Sequence, residues 1–355
     1  MSSLRRESVL ALRLSRQRLT DPLAAPAGYV DLLALLQPVS PVADTRPGDP
    51  PKLVHRVDFD DAPVADALRA DRRLVKGRFL GGTIGYVLAR DLELYTRAFR
   101  RPLHTGGLFE PRQRVLAALA SVGPLTPRQL KAETGLLNKE IMPALHRLQE
   151  AGLVFEDQTD SDWERPWLDF AAAWPEVELE GDAQVARQEV LARFLRGYVA
   201  ATREEMLAWS AWPRRELDRL VDAMVESGLL IESDVEDECA SYLLAEDAGR
   251  LDPAAETPRG VWMLHRADPL IRPRLADLRL RFARQEVLQY ILVDGEARGA
   301  VLGHWRQGPH DVEDVELDLP EREREERRGE VLQAVAWGYH PPRSRILRYD
   351  GAEFR

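Results

Sequence analysis

RQRVLAALASVGPLTPRQLKAETGLLNKEIMPALHRLQEAGLVFED (residues 112–157) and RQEVLARFLRGYVAATREEMLAWSAWPRRELDRLVDAMVESGLLIES (residues 187–233) are one pattern written twice. With one residue inserted in the second copy, Val115 and Leu116 fall on Val190 and Leu191, Thr126 on Thr202, and Gly152 on Gly228. Self-similarity of this kind marks a repeated supersecondary unit. Each copy reads as an apolar-periodic helix, a threonine in the N-cap position of a short second helix, and a third helix closed by a left-handed glycine. Leu153, Val154 and Phe155, and in the second copy Leu229, Leu230 and Ile231, then read as the first strand of a β-wing. Three helices and a wing spell a winged helix, a helix-turn-helix variant, so the expected class is α+β, mainly α. Such units read nucleic acids but also serve as protein-interaction scaffolds, and the fold alone does not decide between them.

Upstream, the first third reads as a divergent third copy with insertions. RESVLALRLSRQRL is an amphipathic helix with Val9, Leu10, Leu12 and Leu14 on its apolar part and Arg13, Arg16 and Arg18 turned to solvent or phosphate. A second helix over 29–36 ends in LLALLQP, and the Pro-rich residues 38–51 cannot form a regular element. APVADALRADRRLVKGRF reads as a helix feeding a strand, LGGTIGYVLARD as a hairpin or wing turning at Gly81 and Gly82, and DLELYTRAFRR as a helix. Downstream, the acidic segment 232–256 reads as a mobile linker or a wing excursion. EVLQYILVDGEARGAVLGHW is a hairpin around Asp294-Gly295, followed by a strand near 312–319, a helix after Pro320 and a closing strand in RILRYDG. Four parts are expected: a divergent winged helix over 1–108, a second over 109–180, a third over 181–258, and a small C-terminal β-sheet/α domain over 259–355.

A chain of 355 residues can bury the cores of several domains. Its one cysteine, Cys239, rules out an intramolecular disulfide and a Cys-rich zinc site, which fits a reducing cytoplasm. No run approaches 18 apolar residues, and MSSLRRESVLALRLSRQRL is a charged amphipathic helix and not a signal peptide, so a cytoplasmic monomer without membrane contact is expected. The seven histidines lack metal-ligand spacing and no G-x-x-x-x-G-K-[ST] loop occurs, so no metal, nucleotide or other cofactor is expected. The net charge of −10 argues against nucleic-acid binding by the chain as a whole, yet residues 1–104 carry 17 basic and 12 acidic side chains. Phosphate binding needs only a local positive face.

The chain resembles the AlkZ/YcaQ-type alkylpurine and interstrand-crosslink DNA glycosylases nearly end to end. The resemblance is carried by LALRLSRQRL, the LLALLQ helix end, RRLVKGRFLGGTIGYVLARDLELY, the two repeats, LHRADPLIRPRL and ILVDGEARGAVLGHW. It implies tandem winged helices, a C-terminal β-containing domain that helps cradle DNA, and damaged double-stranded DNA as partner. In the family a Gln-x-Gln or Gln-x-Asp pair after the second helix holds the water that attacks the sugar. Here those positions read Gln37-Pro38-Val39, with the second polar residue lost. The family's hairpin reads Thr-apolar-His with a proline shortly after; this chain keeps Thr83 but has Gly85 and Leu88. Hydrolysis needs an aimed water and a group that stabilises the oxocarbenium charge, and one missing polar partner is worth about 10² to 10³ in rate. Weak, altered or absent hydrolysis is therefore expected. Asp44, Asp49, His55, Asp58, Asp60 and Asp61 follow in the irregular segment, as a solvated acidic loop or as a substitute carboxylate.

For DNA contact the candidates are Arg72, Arg73, Lys76 and Arg78, which flank the hairpin, with Thr83 and Tyr86 at or beside its tip. Basic side chains would hold phosphates while a hairpin residue wedges between bases as a nucleotide is extruded. Tyr86 reads equally well as a core residue. In the first repeat Lys131, Asn138, Lys139 and His146 lie on or near the recognition-type helix. In the second, Arg214, Arg215 and Arg219 alternate with Glu216 and Asp218, as on a solvated or packing helix. Trp163, Trp167 and Trp174 are expected to staple the copies together. Besides a glycosylase with a remodelled site, the alternatives are a catalytically inactive DNA-binding accessory or transcriptional regulator, and a scaffold without nucleic-acid affinity.

Overall fold

A computed structural model describes residues 4–40, 50–103, 110–159, 164–236, 240–283, 286–304 and 310–354. The chain begins with α1 (Arg6–Arg16) and α2 (Tyr29–Leu36); α3 (Ala62–Ala70) feeds the antiparallel hairpin β1 (Leu74–Phe79) and β2 (Thr83–Leu88), and α4 (Leu92–Phe99) follows. The first repeat contains α5 (Glu110–Val122), α6 (Pro127–Thr134), α7 (Asn138–Glu150), the pair β3 (Val154–Glu156) and β4 (Trp167–Asp169), and the single turn α8 (Phe170–Ala173). The second contains α9 (Ala183–Tyr198), β5 (Ala200–Ala201), α10 (Arg203–Ser210), α11 (Arg214–Glu226), β6 (Leu230–Ser233) and β7 (Ser241–Leu244). Then come β8 (Val261–Leu264), α12 (Leu275–Arg281), β9 (Val287–Val293), β10 (Glu296–Leu302), β11 (Asp314–Leu317), α13 (Glu321–Ala336), β12 (Arg348–Tyr349) and β13 (Ala352–Glu353). The class is mixed α+β.

Both repeats build three helices and an antiparallel strand pair for the reasons their sequences give. Thr126 Oγ1 accepts from Gln129 N at 3.3 Å while Thr126 N donates to Gln129 Oε1 at 2.8 Å. Thr202 and Glu205 repeat this capping box at 3.2 and 2.9 Å. Gly152 and Gly228 end the third helices at φ of 70° and 74°, where a Cβ is disfavoured. Thr202→Ala should lower stability by about 1 kcal/mol, read as a shift in the denaturant midpoint. No shift there would mean that the cap contributes nothing.

The acidic segment 232–256 is not a linker where it is described. Ser241–Leu244 returns as a buried strand between β5 and β6, and Asp247, fully buried, binds Arg16. Its apolar alternates, Tyr242 and Leu244 against Leu243, cover two different clusters. Trp167 sits in the core of its own repeat, whereas Trp174 joins the large central core and meets Phe155 edge-on at 5.6 Å, so only the latter staples units. Trp163 lies outside the described residues, as do Cys239, Asp44 and Asp49.

The C-terminal sheet has the order β13-β12-β11-β10-β9-β8, antiparallel except for the β11–β12 pair. Asp294 and Gly295 turn β9 into β10 with φ of 51° and 85°, the double positive φ of a tight hairpin turn. Both sheet faces are covered, which explains why VLQYILV is apolar on both faces apart from the buried Gln289. Met263, Ile291 and Val315 pack under α13, and Leu264, Tyr290 and Leu292 face the central core. Among the described residues no helix is long and apolar enough to cross a membrane.

One boundary differs from expectation. Helix α1 packs away from the first hairpin: Val9 shares a cluster with Val199, Ala200 and Leu243, and the backbone at Leu4 bridges to Val235. Its apolar face therefore completes the second repeat instead of the N-terminal unit.

Candidate active site and nucleic-acid face

Gln37 closes α2 and is 4% exposed. Its Oε1 accepts from Leu88 N at 2.9 Å and its Nε2 donates to Asp91 Oδ2 at 2.7 Å. A backbone N–H can only donate and a carboxylate only accepts, so these partners fix which end of the amide is which. The other oxygen of Asp91 accepts from Arg193 Nη1 at 2.8 Å, and Arg193 Nε reaches Glu189 Oε1 at 2.7 Å. Burial opposes the Arg193 charge, yet the hydrogen bonds to Asp91 and Glu189 raise its pKa above the ordinary value. Tyr95 donates its hydroxyl to Gln37 O at 3.2 Å, and burial raises that phenol's pKa, so it keeps its proton. The Gln37 amide thus joins α2, β2 and the start of α4, and through Arg193 reaches α9. The water-orienting role expected of Gln37 would require these two bonds to open.

Val39 is buried beside Tyr29, Leu36 and Tyr86, and its backbone exchanges hydrogen bonds of 2.9 and 2.8 Å with Tyr86. Tyr86 itself is 1% exposed, a core residue and not a wedge. Gly85, where the resembled family carries histidine, lies against the same segment: a Cβ there would sit 3.0 Å from Pro38 Cβ. The two departures from the motif therefore touch. A side chain at 85 would require Pro38 to give by a few tenths of an ångström, and with Val39 turned to the core a polar side chain at 39 would be buried.

The hairpin tip is the junction of the molecule. Gly81 and Gly82 have φ of 74° and 87°; a Cβ would approach Ala211 Cβ to 2.8 Å at the first and Glu150 Oε1 to 2.6 Å at the second. Arg272, from LHRADPLIRPRL, donates to Leu80 O at 2.6 Å, to Thr83 Oγ1 at 3.5 Å and to Trp209 O at 2.9 Å. Thr83 also donates to Leu80 O at 3.2 Å. The tip is therefore held by α7, by the end of α10 and by the C-terminal part together. Leu80 is buried and Gly81 stays exposed.

Much of the basic surplus of the first third is already committed within the protein. Arg13, expected to face solvent, is buried and donates to Tyr198 O and Ala200 O at 2.7 and 2.8 Å. Arg16 forks onto Asp247 at 2.7 and 2.5 Å, while Arg18 pairs with Asp21 at the surface. Lys76 pairs with Glu156 at 2.7 Å, and Arg78 donates to Gly82 O at 2.9 Å, its pKa lowered by burial. Both lie in the seam between β1 and the first repeat. Arg72 is exposed but lies 3.4 Å from Asp157. His146 packs near Trp167; burial, then Arg78, pulls its pKa down to about 4, so it is neutral at neutral pH and adds no charge for a phosphate. Arg73 and Lys139 are exposed, with no carboxylate at salt-bridge distance among the described residues.

Asp91, Arg193, Arg56 and Arg272 carry the architecture of this region and were not singled out by the sequence. Asp91 and Arg272 sit in the runs RRLVKGRFLGGTIGYVLARDLELY and LHRADPLIRPRL, and Arg193 and Arg56 pair with Asp91 and Asp268 of those runs, which is the one signal that pointed there. Among the acids of the irregular segment, Asp61 accepts from Leu53 N at 2.7 Å and Tyr29 Oη at 3.0 Å, a structural use; Asp58 and Asp60 are exposed. His55 is buried enough that its pKa falls to about 4, its ring 5.2 Å from that of Trp337. The structure does not bring any of these to Gln37.

The sequence matches the model of a family described as "DNA glycosylase AlkZ-like" over residues 51–336. Among solved structures, the Streptomyces sahachiroi DNA glycosylase AlkZ is similar with a TM-score of 0.68 at 18% identity, covering 98% of this chain and 100% of that one. No curated protein matches the sequence.

Proposed function

Because this chain belongs to the AlkZ-like DNA glycosylase family, we propose that it binds duplex DNA carrying alkylated or crosslinked purines and hydrolyses the N-glycosidic bond weakly. The observation that carries the reading is the state of the motif. Gln37 is the one amide left, both its ends are engaged, and Val39 has no polar atom to share the work. Losing one polar partner slows such a step by about 10² to 10³. An alkylated purine is already cationic and leaves readily, so a residual rate is consistent with that arithmetic while the Gln37 amide stays in its frame.

Each repeat, taken as a winged helix, offers its third helix to a groove. In α7, Lys139 is exposed and unpaired; in α11, Arg214 is held by Glu204 at 2.7 and 2.6 Å. Arg215 and Arg219 of α11 are exposed too, with no carboxylate at salt-bridge distance among the described residues, so both third helices offer cations, together with Arg73 beside the first repeat, while Arg72, Lys76, Arg78, Thr83 and Tyr86 support that face from within.

The engagement of both ends of the Gln37 amide also favours a second reading, a DNA-binding accessory that performs no hydrolysis. Incubation with a duplex containing N7-methylguanine separates the two, with binding followed by fluorescence anisotropy and released base by chromatography. Slow release above the spontaneous rate supports the first reading. Salt-sensitive binding without release supports the second. Absence of binding to damaged and undamaged duplex alike contradicts both.

A further inference from the structure

The seam between the N-terminal hairpin and the first repeat encloses a cavity of about 20 Å³, enough for one guest the size of a water molecule. β1 and α4 line it from one side and α7 with β3 from the other, and its polar wall is Lys76, Arg78, Thr96, Arg100, Gln149 and Glu150. Two of these residues carry a buried nitrogen without a hydrogen-bond partner, Arg78 Nε and Gln149 Nε2. Both nitrogens only donate, so what each lacks is an acceptor. The charges around them are unbalanced in the same sense. Arg78 donates Nη1 to Gly82 O, and among the described residues it has no carboxylate within salt-bridge distance. The acids beside the cavity are taken, Glu156 by Lys76 at 2.7 Å and Glu150 by Arg101 at 3.3 Å and Arg147 at 3.9 Å. Arg100 has only Glu180 at 3.6 Å, whose side chain is 93% exposed. A guest that suits this cavity accepts from two donors, carries negative charge and is one heavy atom in size.

We propose that the cavity is a chloride site that ties α7 of the first repeat to β1 of the hairpin. The inference does not depend on the DNA reading above and adds no step to the chemistry. A monatomic anion offsets the half-buried guanidinium and receives both N–H groups, so it holds the first repeat against the rest of the protein. An ion bound only by the folded chain stabilises that chain.

The test compares thermal melts in sodium chloride and in sodium gluconate at equal ionic strength, because gluconate is too large for the cavity. The wild type should melt higher in chloride, by about 2 °C for each tenfold excess of the ion over its Kd. Gln149→Leu removes one donor and should lose most of that difference. Gln149→Glu brings a carboxylate of its own and should lose the difference while melting in gluconate at least as high as the wild type does. Crystals grown in bromide locate the ion, with an anomalous peak expected in contact with Arg78 Nε and Gln149 Nε2. Equal wild-type melts in the two salts overturn the site, and a bromide peak without a melt difference marks an adventitious ion only. A difference that survives in both variants overturns it too, since the stabilising ion then sits elsewhere. So does a crystal structure in which water fills the cavity, or in which Gln149 Oε1 accepts directly from Arg78 Nε.

Discussion

Arg56→Ala is expected to lower stability by about 3–5 kcal/mol, because it leaves a buried carboxylate without its counter-charge. Arg56 is 2% exposed. Its guanidinium forks onto Asp268 at 2.8 and 3.0 Å, and the same Nη2 reaches Gln17 Oε1 at 2.7 Å. Gln17 passes the connection on to Gly197 O at 3.2 Å. One side chain therefore ties the irregular N-terminal segment, the end of α1, the end of α9 and the LHRADP turn together. Chemical denaturation followed by far-UV circular dichroism measures the loss. A double substitution, Arg56→Met with Asp268→Leu, should recover much of it, since an apolar pair of similar volume removes the orphaned charge along with the bridge. A single Arg56→Ala within 1 kcal/mol of wild type would show that the fork is not formed in solution.

Gln37→Ala should cost about 2–4 kcal/mol, since it strands the Leu88 N–H and one oxygen of Asp91, each buried. The size of that loss distinguishes two roles. An amide that faces a solvent-filled site and orients water can be truncated with a stability change within about 0.5 kcal/mol, as at other exposed positions. An amide that fills a frame cannot. Asp91→Asn should lower stability as well, because its oxygen can keep the bond to Arg193 only by setting its NH2 against the Gln37 Nε2 donor, and a flipped Gln37 would then face the Leu88 N–H with a second donor.

Local structure was legible in the sequence because its causes are local. Thr126 and Thr202 announce helix starts, Gly152 and Gly228 announce ends, and the Asp294-Gly295 and Gly81-Gly82 pairs announce turns; each acts within a few residues of itself. The repeat was legible for the same reason, one set of local signals appearing twice. The destination of the charges was not legible. Arg13, Arg16 and Arg56 meet partners more than 180 residues away. A surplus of basic residues in the first third therefore said little about which cations remain free. The motif comparison singled out Gln37 and Val39 along the chain. Their burial follows from the paired backbones of Val39 and Tyr86 and from the fit of Gly85 against Pro38, contacts between segments some 50 residues apart.

The surviving amide of the motif belongs to the frame of the protein. A crystal structure of the complex with a duplex carrying an abasic-site analogue is the decisive experiment. Gln37 Nε2 is expected to stay on Asp91 and Oε1 on Leu88 N with the DNA bound. A Gln37 side chain turned out of that pocket, holding a water opposite the anomeric carbon, would show the reverse.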